Sequence, residues 1–181
     1  EGSLPCDSVG EPLGKGRSRH GAHSLRGSVA AAGLRFPVAE GGPRVPHELT
    51  ESPEAVQVSV NAPSREELFR AALTGVLEAA YGGPAPEGSY DGRVVPVQAA
   101  GGEDDVLLAD LVDDTLRAVR EEAGTLRPPR WLAFDENRVT ANLPLHSPRA
   151  PGRPLELSRA EVEAVDGGWA ARLELLRSSE S

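Results

Sequence analysis

The sequence predicts an α+β fold: two helices packed on one face of a largely antiparallel sheet, with a disordered N-terminal tail. Three observations carry this. AVQVSV, from residue 55, alternates apolar and polar residues, the period of a half-buried strand. Two later segments instead repeat their apolar residues at helical spacing. After Pro128 and Pro129 no helical period returns, and four strand-like runs follow in two hairpins.

The elements follow in order. Residues 1–34 mix Gly, Ser, Arg and His with no period of 2 or 3.6, and cannot bury enough apolar surface to offset their ordering entropy. This stretch is expected to be a disordered tail or linker, and residues 36–177 the folded domain. The first helix opens at SREELF, where Ser64 and Glu67 have capping-box spacing. Leu68, Ala72, Val76 and Ala79 share one of its faces, and Gly82, Gly83 and Pro84 end it. The strand RVVPVQ carries Pro96, which marks an edge strand or a bulge. GGEDDVLLADLVDDTLRAVREEAG is the second helix, with Glu103, Asp104 and Asp105 at its start, where the helix dipole favours negative charge. Leu107, Leu108, Leu111, Val112, Thr115, Leu116 and Val119 form its apolar face. Asp110, Asp113 and Asp114 fall on the solvated side, and Gly124 is expected to stop it. WLAF-DEN-RVTANLPL and LELSRAEVEAV-DG-GWAARLELL read as hairpins, the second reversed by Asp-Gly. Trp131 and Trp169 head strands of these hairpins and are expected to pack in or across them.

The charge balance bounds function. The net charge is -9, yet residues 1–46 carry +2 and residues 47–181 carry -11. An acidic domain repels phosphate backbones, so direct nucleic-acid binding is unexpected and a protein or a cation is the natural partner. The single cysteine, Cys6, permits no internal disulfide. No apolar run reaches the roughly 20 residues of a membrane span, and GSVAAAGL is too short for a signal-peptide core. A soluble, cytoplasmic protein is expected.

Chemistry is sparse. No phosphate-loop, dinucleotide-binding or H-E-x-x-H motif is present, and no G-x-S-x-G elbow. The folded region holds two histidines, His47 and His146, without a partner legible in sequence; His20 and His23 lie in the tail. No enzymatic activity is expected from these residues.

Four strings in order resemble the archease family. VQVSVNAPSREELFRAAL is similar to its opening strand and T/S-x-E-E-A/L-F helix start. LLADLVDDTL, residues 107–116, resembles its L-L-V-D-W-L-N-E-L-L helix string. WLAFDENRVTAN resembles its next hairpin, and WAARLEL its closing W-x-A-x-V strand. The resemblance covers about residues 47 to 176. It implies an accessory protein of the GTP-dependent tRNA-splicing RNA ligase, acting through that protein partner in tRNA processing rather than as an enzyme. It also implies a divalent cation, calcium, held by an aspartate of the N-terminal turn and a C-terminal aspartate. Counting from the matched strings, those positions fall at or beside Ala55 and at Leu176. The neighbouring carboxylates are Glu54 and Glu51 at one end, and Glu174, two residues earlier on the same strand face, at the other. Gly152-Arg153 stands where the family often has Gly-Glu. Glu54 and Glu174 are therefore the candidate metal ligands, and HELTESPEA is expected to be a charged turn where the family's site has been lost. The alternative implied is a metal-free module of this fold, serving interaction or structure and unrelated to RNA ligation.

Overall fold

The computed structural model describes residues 45–84, 89–130, 132–135, 137–147, 150 and 152–178. The expected tail at 1–34, with Cys6, His20 and His23, lies outside the described residues, as does Trp131.

The elements are β1 (His47–Glu51), β2 (Ala55–Ala62), α1 (Arg65–Tyr81), β3 (Ser89–Ala100), α2 (Asp104–Glu121), β4 (Thr125–Leu126), β5 (Leu132–Asp135), β6 (Arg138–Ser147), β7 (Leu155–Val165) and β8 (Gly168–Arg177). The α+β class holds: two helices pack on antiparallel strands. The strands form two sheets rather than one, ordered β1-β2-β8-β7 and β3-β6-β4, with β5 also pairing β6. All the described pairings are antiparallel.

The first helix begins and ends as its sequence dictates. Ser64 Oγ accepts from Glu67 N at 3.2 Å and donates to Glu67 Oε2 at 3.1 Å. The glutamate thus closes the box on the hydroxyl. Gly82 ends the helix in the left-handed region at φ 72°, its N–H on Ala79 O. Leu68, Ala72, Val76 and Ala79 are buried, against β1, β2 and β8. On α2 the whole expected apolar face is buried, including Thr115, whose hydroxyl donates to Leu111 O at 2.8 Å. This helix packs on β3, β6 and β7 and so lies along both sheets. Phe69 of α1 meets Phe134 of β5 edge to face at 5.2 Å. The Arg65 guanidinium lies 4.7 Å from the Phe134 ring centroid and pairs with Asp104 at the start of α2.

Three expectations are corrected. HELTE is strand β1, not part of a charged turn: His47 and Leu49 are half-buried while Glu48 and Thr50 are exposed, and His47–Glu51 pair with Val60–Val56. The charges on its solvent face obscured the alternation. Next, α2 stops at Glu121, capped by Glu122 in an extended conformation, so Gly124 is not its terminator. A Cβ on Gly124 would lie 2.7 Å from His146 O, so its role is close approach to β6. Finally, an additional short strand, β4, precedes the first hairpin and pairs with His146 and Leu145. Trp169 is half-buried in β8, opposite Ala62 and Ala164.

Candidate functional site

The β1–β2 hairpin turns on Pro53 and Glu54. Pro53 sets its own φ near -65°. Ser52 closes the turn: its N–H donates to Ala55 O at 2.8 Å, its hydroxyl donates to the same oxygen at 3.1 Å, and Ala55 N donates back to that hydroxyl at 3.0 Å. In β2 Val56, Val58, Val60 and Ala62 point into the core, so Ala55, Gln57 and Ser59 point out.

Strand β8 pairs with β2 in the register that sets Ala55 against Leu176, Gln57 against Glu174 and Ser59 against Arg172. Strand β7 extends the same rows, placing Glu156 against Leu176, Arg159 against Glu174 and Glu161 against Arg172. The two positions reached by counting from opposite ends of the resemblance are therefore direct cross-strand neighbours. Neither carries a ligand: an alanine and a leucine cannot coordinate a hard cation.

Glu54 and Glu174 are not brought to one point. Glu54 lies in the exposed turn, where its carbonyl accepts from Arg177 N at 2.9 Å. Glu174 lies three residue positions along, opposite Gln57, roughly 10 Å at about 3.3 Å per strand residue. Glu174 lines an outward concavity of about 380 Å³ with Arg159, Arg172 and Glu161. Arg159 pairs with Glu161 at 2.5 Å. A dication in that concavity would meet two guanidinium groups, and one of its two carboxylates, Glu161, is already paired with Arg159, the reverse of what calcium requires. Among the described residues no three His, Cys, Asp or Glu side chains form a metal-binding group. The residues present do not fit the cation.

Glu51, the third nearby carboxylate, is held by two arginines. Arg153 Nη1 approaches its Oε2 at 3.2 Å and Arg177 Nη2 at 2.7 Å. The Gly-Arg at 152–153 thus supplies a partner for Glu51. Arg153 N also donates to Ala80 O at 2.6 Å, tying this segment to the last turn of α1.

A larger cleft of about 780 Å³ runs beside α2, between the β3 and β7 edges. Asp110, Asp113, Asp114, Arg117, Arg120 and Arg138 line it. Partial desolvation raises the Asp113 carboxyl above its ordinary value; Asp110 adds to this and Arg120 opposes it. Asp114 is not merely solvated: its Oδ2 accepts from Gln98 N at 2.9 Å, and its Oδ1 pairs with Arg117. Sequence reasoning missed this role, because nothing local marks which strand a helical carboxylate will meet.

His47 is the better defined of the two histidines. His47 Nε2 lies 2.8 Å from Glu78 Oε2, a base and an orienting acid, but Glu78 is its hydrogen-bond partner among the described residues and no nucleophile joins them. His146 lies against Tyr90, ring centroids 5.3 Å apart.

The geometry defines an α+β domain with a polar outer sheet face and, among the described residues, no group of three metal-ligating side chains. No family model and no curated protein matches the chain. Among the described residues no helix is long and apolar enough to cross a membrane.

Proposed function

We propose that this chain is an archease-like accessory protein that works, without a cation at the family's position, by binding a GTP-dependent RNA-splicing ligase in the cytoplasm. The observation supporting this reading is the pairing of Ala55 with Leu176. The ligand positions that the resemblance implies, one counted from a string at each end of the domain, lie at or beside one cross-strand pair. The -11 charge of residues 47–181 favours protein over RNA as the surface contacted. The protein is not itself a catalyst in this reading.

The test is reconstitution. The full chain, added to the ligase of the same cell with GTP and a cleaved RNA, is expected to bind the ligase and raise its guanylylation and turnover equally with calcium or with a chelator. Binding to the ligase with no change in turnover would count against an activator role.

A second reading is a metal-free interaction module of the same fold, unrelated to RNA ligation. The Arg159 and Arg172 guanidinia beside Glu174 favour it, since they replace a cation's surroundings with a self-compensating charge ladder. No association with the ligase, together with a different protein captured stoichiometrically, would select it.

A further inference from the structure

Among the described residues each sheet leaves one long edge without a neighbouring strand: β3 in one and β7 in the other. An open edge presents unpaired N–H and C=O groups, a template on which another strand can pair. Both edges border α2. There, backbone groups of each edge are met by α2 side chains of matching polarity. Gln98 N on β3 donates to the Asp114 carboxylate at 2.9 Å. Leu155 O on β7 accepts from Arg120 NH1 at 3.3 Å. Two residues before Gln98, with its backbone nitrogen on the same side of the strand, stands Pro96, which has no N–H to offer. Asp114 and Arg120 are six residues apart on α2, about 9 Å along its axis and about 120° around it. That offset lets one helix serve two edges.

We propose that Asp114 and Arg120 are edge guards: they occupy the pairing groups of β3 and β7 beside α2 and keep a second copy of this chain from adding a strand there. A carboxylate suits the guarded donor and a guanidinium the guarded acceptor, and charged hydrogen bonds are the stronger kind. Proline removes a second donor from the same edge. The inference is independent of any ligase.

The test uses the full chain and two readouts, amide hydrogen exchange at Gln98 and light scattering across a concentration series. Asp114→Ala is expected to speed Gln98 exchange by at least about tenfold, the factor that 1.4 kcal/mol represents, and to produce concentration-dependent association. Asp114→Asn keeps a carbonyl acceptor and is expected to retain most of the protection. Arg117→Ala removes the neighbouring ion pair but leaves the guard, and is expected to match the parent in both readouts. Unchanged Gln98 exchange in Asp114→Ala overturns the proposal, as does equal association of the alanine and asparagine variants. Should Asp114→Ala fail to fold, Arg120→Ala decides through association alone: self-association supports the guard, and a monomer at all concentrations overturns it.

Discussion

Ala55 and Leu176 stand directly opposite each other on β2 and β8, one half-buried and one exposed, on the outer face of the β1-β2-β8-β7 sheet. Glu156 of β7 faces Leu176 from the other side. This row is where the archease resemblance implies a cation, and it lacks both of the implied carboxylates.

Restoring them tests the equivalence of position. The double variant Ala55→Asp/Leu176→Asp sets like charges across the strands and is expected to cost about 1 kcal/mol without a cation. With millimolar calcium its melting temperature is expected to rise, since an ion bound only by the folded state stabilises it by mass action. The parent's melt should ignore calcium. A double variant equally indifferent would show that this row cannot converge on an ion.

The helix faces carry the core. Leu68 and Leu111 are fully buried on α1 and α2. Leu68→Asp or Leu111→Asp places an unpaired carboxylate in an apolar interface, at a cost of at least about 4 kcal/mol, a large part of a domain's stability. Circular dichroism melts are expected to show neither variant cooperatively folded at 37 °C. A parent-like melt for either would mean that face is misplaced.

Gly82 is tested by substitution. Its φ of 72° and the Arg153 guanidinium, 2.4 Å from where a Cβ would sit, both oppose a side chain. Gly82→Ala is expected to lower stability by about 1–2 kcal/mol from the backbone alone, read from the urea midpoint. In an Arg153→Ala background the cost should shrink toward that backbone share. Equal costs in both backgrounds would remove Arg153 from the account.

Asp113 gives a pH signature. Its carboxyl is raised in the folded state by burial and by Asp110, against Arg120. The folded state therefore holds this proton more tightly than the unfolded one. The stabilisation is fully present below the unfolded value near 3.8 and is lost as pH rises through the folded value. Asp113→Asn is expected to equal the parent in acid and exceed it at neutral pH, by less than about 1 kcal/mol because solvent screens the site. Chemical denaturation at pH 3 and pH 7 reads both; a variant less stable at pH 7 would reverse the sign and refute the assignment.

Local patterns were legible wherever one residue's neighbours in the chain decide its fate. The Ser64 cap, the Gly82 stop, both apolar helix faces and the Asp166-Gly167 reversal into β8 all follow from spacing within a few residues. Pro96 correctly marked an edge strand, and β3 also carries an irregularity between Tyr90 and Val94. By contrast β1 was missed, because Glu48 and Glu51 made a half-buried strand look like a turn. Its identity depends on β2 lying alongside it.

Sequence by itself determined the class, the two helices with their buried faces, the strand segments from β5 onward with their two hairpin pairings, and the absence of ligand side chains at positions 55 and 176. Tertiary structure alone decided that those two positions meet, that the strands divide into two sheets, that Glu51 is held by Arg153 and Arg177, and that Asp114 and Arg120 reach the edges of β3 and β7. The reason is range. Period, capping and turn chemistry act over a few residues, whereas register and cross-sheet contacts join segments far apart in the chain. A one-residue slip in register would turn every side chain of a strand to the other face, and only packing of the whole core selects against it.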